Sequence, residues 1–280
     1  MTTSAKKAAC VVGWPAKQSR SPKLHGWWLK HYRIDGDYRI EEVPPEKFEA
    51  FVTDLKGHGY VGCNITIPHK EAAFALSQPD ESAKAIGASN TLWVEDGILR
   101  STNTDVVGFV GALDASAAGW DKRGGHAVVL GAGGAGRAVV WGLLERGFTQ
   151  IHVVNRSFDK AEAFRARFGE RIIPGHWGDR NTLLKGASLL VNATSLGMKG
   201  NAPLDIDLSG LASGAAVSDI VYVPLETGLL AQARRLGFKT ADGLDMLLYQ
   251  AGRGFELWFG VKPEVMPEQR EMLAADIPKS

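Results

Sequence analysis

Cysteine is almost absent from this chain: Cys10 and Cys63 are the two in 280 residues. They lie far apart and lack the paired C-x-x-C spacing of a zinc or redox site, so both read as small buried residues. An excess of one charge is missing too. Lys plus Arg number 32 against 31 Asp plus Glu, a net charge of +1, which gives no field to gather nucleic acid or an anionic membrane, so any anionic ligand must be held locally. Long hydrophobic runs are lacking as well. The start, Met1 to Ala9, leads into an apolar stretch from Ala8 to Val12 that is too short for a signal peptide, and nothing later approaches the roughly 18 apolar residues of a membrane span. A reducing cytoplasm is the expected setting. The seven histidines show no HxH or HExxH spacing, His25, His69 and His126 read as loop or strand-end residues, and no metal site is expected.

What is present is an ordinary globular composition, 45% hydrophobic and 22% charged, in a chain long enough for two cores. Short apolar runs alternate with helix-period segments, the rhythm of an α/β protein built from βαβ units and parallel sheet. The spacing predicts strands at Ala9–Val12, Tyr38–Glu42 and Tyr60–Ile65, and helices at Pro22–His31, Pro45–Lys56 and Glu71–Leu76. A hairpin is expected from Thr91–Glu95 and Ile98–Ser101 around Asp96-Gly97, a strong type I′ turn signal. Val106–Ala118 reads as a connecting helix that runs into Gly119 and Gly124-Gly125, marking a boundary. Beyond it come strands at Ala127–Leu130, Ile151–Val154, Ser188–Val191 and Val217–Ile220, with helices at Gly134–Glu145 and Ser157–Phe168, the succession of a Rossmann-type dinucleotide domain. The last helix, Met246–Phe259, has no later strand to cover and is expected to return to the first domain. The domains are therefore expected at 1–105 plus 245–280 and at 106–244.

Gly131-Ala132-Gly133-Gly134-Ala135-Gly136 lies between a predicted strand and a predicted helix. Glycines there permit a tight turn and close approach of backbone to phosphate, while the helix N-terminus offers free N–H groups to the pyrophosphate of a dinucleotide. The plainer alternative is a structural glycine turn. An NAD enzyme usually carries Asp or Glu at the end of the second strand for the ribose hydroxyls, but here the strand ends in Asn155-Arg156-Ser157. Arg156 can pair bidentately with a 2′-phosphate, and Asn155 and Ser157 can add hydrogen bonds, so NADP is expected. Against this, Ser157 is also a natural helix N-cap, Arg156 a natural surface charge, and Asp159 the residue that could argue for NAD.

Polar side chains cluster in the first part at Ser19-Arg20-Ser21-Pro22, Asn64-Ile65-Thr66-Ile67-Pro68-His69-Lys70, Ala88-Ser89-Asn90-Thr91 and Asn103-Thr104-Asp105. Alone, Ser19 and Ser21 read as capping residues, Lys70 as a solvated lysine at a helix start and Asp105 as an N-cap. In this order, and followed by Asn192-Ala193-Thr194-Ser195-Leu196-Gly197-Met198, by Asp219-Ile220-Val221-Tyr222-Val223-Pro224 and by Gly243-Leu244 with Gln250-Ala251, they resemble the shikimate dehydrogenase family over almost the whole chain.

The resemblance implies two α/β domains around a cleft, the first for substrate and catalysis and the second for NADP, and the reversible reduction of 3-dehydroshikimate to shikimate by NADPH in aromatic amino-acid biosynthesis. It implies Lys70 and Asp105 as the catalytic pair: an ammonium beside the reacting carbonyl stabilises the developing oxyanion, and a carboxylate orients it. Which of the two carries the proton stays open. It assigns the substrate carboxylate to Ser19, Ser21 and Tyr222, and the ring hydroxyls to Asn64, Thr66, Asn90, Asp105 and Gln250. It puts Asn192, Thr194 and Met198 on the nicotinamide side and adds Ile220 and Gly243 to the cofactor residues. The implied partners are shikimate and 3-dehydroshikimate, with a homodimer left open.

Three positions depart from the family pattern: Gly26 where Asn is usual, Val106 where Gly often follows the Asp, and Asp245 where a small residue is common. None removes a required group; Asp245 is expected to face solvent. The rivals are a quinate/shikimate dehydrogenase with relaxed substrate choice, against which Asn155-Arg156 argues, and a non-catalytic NADP-binding regulatory module, against which the retention of both Lys70 and Asp105 argues.

Overall fold

The computed structural model describes residues 6–278. Residues 1–5, part of the start read for a signal peptide, and 279–280, the end of the expected first domain, lie outside the described residues. The chain divides into two compact units, one formed by the residues up to Thr104 with Gln250–Leu273, the other by Asp105–Tyr249 with the residues from Ala274.

The first unit opens with β1 (Lys7–Gly13), α1 (Ser21–His31), β2 (Gly36–Glu42), α2 (Pro45–Thr53) and β3 (Gly62–Ile65). These are the parallel βαβ units that the sequence predicts. They continue into α3 (Lys70–Ala75), β4 (Gln78–Pro79), α4 (Glu81–Ile86), β5 (Thr91–Glu95) and β6 (Ile98–Thr102), in a sheet of order β2-β1-β3-β5-β6-β4. The sheet is mixed rather than parallel: β5 runs antiparallel to both β3 and β6. The β5–β6 pairing comes from the Asp96-Gly97 turn, whose residues both take positive φ, 51° and 78°, and fold the chain straight back on itself. Cys10 and Cys63 are free, buried register partners on β1 and β3, as small core residues should be. They pack with Val12, Phe48, Val52, Leu55 and Leu92.

The second unit starts with α5 (Asp105–Ser116) and continues through β7 (Ala127–Leu130), α6 (Gly134–Glu145), β8 (Ile151–Asn155), α7 (Phe158–Phe168), β9 (Ile172–His176), α8 (Arg180–Leu183), β10 (Leu189–Asn192), β11 (Ala216–Asp219), α9 (Gly228–Arg235) and β12 (Lys239–Asp242). All six strands are parallel, in the order β12-β11-β10-β7-β8-β9. This is the doubly wound Rossmann order, whose ligand crevice lies at the carboxyl ends of the strands where the winding reverses, here between β7 and β10. The central strands are buried on both faces, against Phe109, Leu113, Val139 and Leu143 on one side and Leu184, Leu229 and Leu230 on the other.

The final long helix, α10, spans Gly243–Phe259, three residues longer at its start than predicted. Asp242 Oδ1 accepts the backbone N–H groups of Leu244 and Asp245, each at 3.1 Å, and so caps it. From Gln250 onward the helix belongs to the first unit, where Trp258 Nε1 donates to Leu92 O at 2.9 Å. A further helix, α11 (Pro267–Ala274), follows. Among the described residues no helix is long and apolar enough to cross a membrane.

Candidate active site

In the first unit the polar segments of the sequence meet at the carboxyl ends of β1 and β3 and in the loops that neighbour β5. The loop after β1 is held by Glu42 at the end of β2: its Oε1 accepts Ala16 N at 3.1 Å and its Oε2 pairs with Lys17 at 3.2 Å. The Ala16 N–H above all, then Lys17, holds the Glu42 carboxyl below the usual carboxylate range. That loop delivers Ser19, half-buried, and Ser21, buried at the first position of α1, with Ser21 N donating to Ser19 Oγ at 3.3 Å.

Asn64 is buried on β3 and its amide is oriented by the protein. Tyr38 Oη donates to its Oδ1 at 2.6 Å, and its Nδ2 donates to Asn90 O at 3.3 Å and Thr91 Oγ1 at 3.2 Å. Tyr38 in turn lies face to face with His25, ring centroids 4.0 Å apart. His25 is not a loop residue, as its sequence context suggested, but a fully buried one inside α1. Burial pushes its pKa down to about 3, a shift that the nearby Asn64 amide only partly opposes, so the ring is neutral.

Thr66 is half-buried, with its N–H on Val12 O at 2.9 Å. His69 lies in the loop just before α3, in keeping with its sequence context. It is buried, its Nε2 is 2.7 Å from Val43 O and its ring is stacked on Phe48, which anchors the start of α3. Lys70, the next residue, is half-buried, and its carbonyl accepts Ser89 N at 2.9 Å.

Asn90 is buried, and its Oδ1 accepts three donors: Thr104 N at 2.8 Å, Thr104 Oγ1 at 3.2 Å and Thr91 Oγ1 at 3.1 Å. Thr104 Oγ1 also lies 3.1 Å from Gln250 Oε1. Ser19, Ser21, Asn64, Thr66, Lys70, Asn90 and Gln250 thus all belong to one unit, where Tyr38 holds Asn64 and Thr104 joins Asn90 to Gln250. The sequence did not single out Tyr38 or Thr104. Thr104 had a signal, its place in Asn103-Thr104-Asp105; Tyr38 had none beyond being an aromatic on a strand. Asp105, half-buried, opens α5 in the second unit.

The glycine turn of the second unit separates into two kinds of position. Gly131 has φ 105°, and a Cβ there would sit 2.8 Å from Ala193 O; a Cβ at Gly136 would strike Gly131 O. The protein's own backbone requires both glycines. Gly133 and Gly134 are exposed, and a Cβ on either would meet nothing within 4 Å. Gly133 is the N-cap of α6 and supplies no side-chain cap, and with Ala132 and Ala135 half-buried beside it the first turn of the helix presents its N–H groups unobstructed. An open cradle at an uncapped helix N-terminus fits a dinucleotide pyrophosphate.

Asn155 Oδ1 accepts Ala132 N at 3.2 Å while its Nδ2 donates to Ser157 O at 3.0 Å, so the side chain ties the glycine turn to the loop after β8. Arg156 and Ser157 are exposed beyond it. Ser157 occupies the N-cap position of α7 without making a side-chain cap.

Asn192 is buried and committed on all sides. Its Oδ1 accepts Thr194 N at 3.1 Å and Thr194 Oγ1 at 2.7 Å, and its Nδ2 donates to Leu196 O at 3.1 Å and Asp219 Oδ1 at 2.9 Å. Asp219 also takes Val221 N at 3.1 Å and Thr227 Oγ1 at 2.7 Å. Burial pushes this carboxyl up to about 6 despite those donors. Thr194 is half-buried, Met198 is 40% exposed, and Tyr222 and Ile220 are half-buried on the loop after β11. A Cβ on Gly243 would strike Ile220 O, so α10 starts in backbone contact with that loop.

The three departures are absorbed locally. Gly26 is half-buried and has open space where a Cβ would be, and Val106 is buried in the core. Asp245 does not simply face solvent: it is half-buried and accepts Ser116 Oγ at 3.0 Å.

Residues 11–92 match the shikimate dehydrogenase substrate binding domain, 115–198 the shikimate / quinate 5-dehydrogenase domain and 243–265 the shikimate 5′-dehydrogenase C-terminal domain. The chain is 61% identical over 272 residues to the shikimate dehydrogenase (NADP(+)) of Rhodopseudomonas palustris strain TIE-1, covering 97% of this chain and 98% of that one. Its fold superposes on shikimate 5-dehydrogenase from Thermus thermophilus in complex with NADP(H) and shikimate with a TM-score of 0.84 at 34% identity, over 97% of this chain and all of that one, 100%. It also superposes on quinate dehydrogenase from Corynebacterium glutamicum in complex with NAD, with a TM-score of 0.86 at 28% identity over 96% and 99% of the two chains. Identity of this extent, with matches to all three parts of the fold, establishes that the chain belongs to the shikimate dehydrogenase family.

Proposed function

We propose that this chain is an NADP-dependent shikimate dehydrogenase, reversibly reducing 3-dehydroshikimate to shikimate, with most of the substrate-binding residues in the first unit and the NADP-binding residues in the second. The observation that carries the cofactor half is the end of β8, where Arg156 stands exposed in the place of a carboxylate. The substrate half rests on the donor-rich cluster of the first unit and on the near-full-length identity to a relative so named.

NADPH, when bound, supplies the hydride. Gly133 and Gly134 admit its pyrophosphate to the N–H groups of α6, and Arg156 with Ser157 receives the 2′-phosphate. Asn155 and Asn192 act behind them by shaping the turns at Ala132 and Thr194. Ile220, Gly243, Thr194 and Met198 border the nicotinamide. Ser19, Ser21 and Tyr222 bind the unreacting carboxylate of the substrate, while Asn64, Thr66, Asn90 and Gln250 bind its hydroxyls.

Lys70 and Asp105 are the catalytic pair. As a carbonyl carbon accepts hydride, its oxygen gains negative charge, and the Lys70 ammonium meets that charge while Asp105 orients the ammonium. One of the two hands over the proton. The cytoplasm suits such an enzyme and its free thiols, Cys10 and Cys63.

The test is to follow the absorbance of the reduced cofactor with purified protein, NADP+ or NAD+, and shikimate or quinate. Fast turnover of shikimate with NADP+, and little of quinate or with NAD+, is expected. Equal rates with NAD+ would remove Arg156 from its role, and preference for quinate would replace the substrate.

A further inference from the structure

The second unit carries an imidazole at the adenosine end of the proposed cofactor site for which the function above has no use. His176 is the last residue of β9 and the register partner of Asn155, the last residue of β8. Its backbone therefore lies about 4.8 Å, one strand spacing, from the segment that continues into Arg156. Phe158, the first residue of α7, holds the His176 ring by stacking, with centroids 4.1 Å apart and planes 14° apart. Arg156 and His176 are both exposed, and neither makes a hydrogen bond or ion pair among the described residues. The charged side chains on the adjoining elements are Asp159, Lys160, Glu162, Arg165 and Arg167 on α7, Glu170 and Arg171 before β9 and Asp179 after it; none pairs with either.

A phosphate monoester presents several acceptor oxygens and is held best by donors from more than one direction. Arg156 reaches from the β8–α7 turn. His176 comes from the neighbouring strand, at the same carboxyl edge of the sheet where dinucleotides bind. Its ring is already fixed by Phe158, so little freedom is lost when it takes a ligand.

We infer that His176 is a second donor to the 2′-phosphate of NADP(H), beside Arg156, and so a determinant of NADP over NAD. The inference rests on the proposed reading of Asn155-Arg156-Ser157 as the 2′-phosphate turn. Adenosine 2′,5′-bisphosphate, which carries the same phosphate without the nicotinamide, should be recognised by the same pair.

The test is calorimetric titration of the full chain and its variants with NADP+, NAD+ and adenosine 2′,5′-bisphosphate. His176→Phe keeps the stack on Phe158 and removes the ring nitrogens. It should raise the Kd of NADP+ and of the bisphosphate by about five- to tenfold, as expected for one lost hydrogen bond to a charged group, and leave the Kd of NAD+ within about twofold. His176→Gln, which retains a donor, should recover most of the loss. Unchanged NADP+ binding in His176→Phe, or equal losses for NADP+ and NAD+, overturns the role of His176. Arg156→Gln separates the underlying reading: weakened NADP+ binding there with a neutral His176→Phe leaves the 2′-phosphate turn standing and His176 outside it, and a neutral Arg156→Gln removes the turn itself.

Discussion

The Thr104 hydroxyl stands 3.1 Å from the Gln250 amide oxygen, joining two residues 146 positions apart in the chain. The same hydroxyl is 3.2 Å from Asn90 Oδ1. One buried threonine hydroxyl thus lies within hydrogen-bond reach of two of the proposed substrate-binding amides.

Thr104→Val keeps the shape and removes the hydroxyl. Loss of one buried hydrogen bond costs about 0.5–1.5 kcal/mol, and here the loss should fall on substrate binding. KM for shikimate is expected to rise roughly tenfold, with kcat within about threefold and NADP+ affinity unchanged. Steady-state kinetics with a parallel NADP+ titration measures all three; a fall in kcat at constant KM would place Thr104 in the chemistry instead.

The two kinds of glycine make opposite predictions. Gly131→Ala forces a side chain into φ 105° and against Ala193 O, and should cost about 2–4 kcal/mol of stability in urea. Gly133→Ala meets no protein atom and should leave stability within about 1 kcal/mol while weakening NADP+ binding by about tenfold or more. A Gly133→Ala protein that binds NADP+ normally would show that the cradle is not where the pyrophosphate lies.

Lys70→Ala should lower kcat by orders of magnitude with the fold intact, because the lost charge is needed most in the transition state. Ser19→Ala should act chiefly on KM, since a group that binds an unreacting carboxylate serves ground and transition states alike. Near-wild-type turnover in the first, or a pure kcat effect in the second, would exchange or abolish these roles.

Acid should expose two buried groups of opposite sense. Unfolded, His25 titrates near its ordinary 6.5, and in the fold near 3. Between those values the unfolded chain binds more protons, so stability is lost as pH falls below 6.5, on the order of 3 kcal/mol by pH 4. Asp219 rises from 3.8 to about 6 in the fold. There the folded chain binds more protons, so its stabilising effect is present below pH 4 and is lost as pH rises through 6. Urea denaturation at pH 4 and pH 7 should show His25→Phe losing less than wild type on acidification and Asp219→Asn losing more. Parallel pH profiles for all three proteins would contradict both assignments.

The βαβ rhythm of the second unit was legible because its central strands, such as Ala127–Leu130, are buried on both faces and read as unbroken apolar runs. The edge strands were not. β9 contains Pro174 and Gly175 and β12 reads Lys-Thr-Ala-Asp, compositions that only a sheet edge tolerates and that resemble loops in isolation. The short α4 has Asp80 accepting Ala83 N and Gly87 closing it at φ 70°, yet its six residues are too few for a helical period to declare itself. In the candidate site, residues carried by local motifs could be named, whereas Tyr38, His25 and Thr104 gain their meaning from partners supplied by distant segments. The antiparallel pairing of β5 with β6 followed from the Asp96-Gly97 turn, but the pairing of β5 with β3 did not.

Helix α10 enters the first unit only at Gln250. There Phe255 stacks near His25, Trp258 Nε1 reaches Leu92 O, and Gly62 leaves room for the Trp258 ring. On the ribosome the amino-terminal sheet is therefore made early and finished late. At about 5–20 residues per second, it waits on the order of ten seconds, while nearly all of the second unit is synthesised, for the aromatic side chains that complete its core.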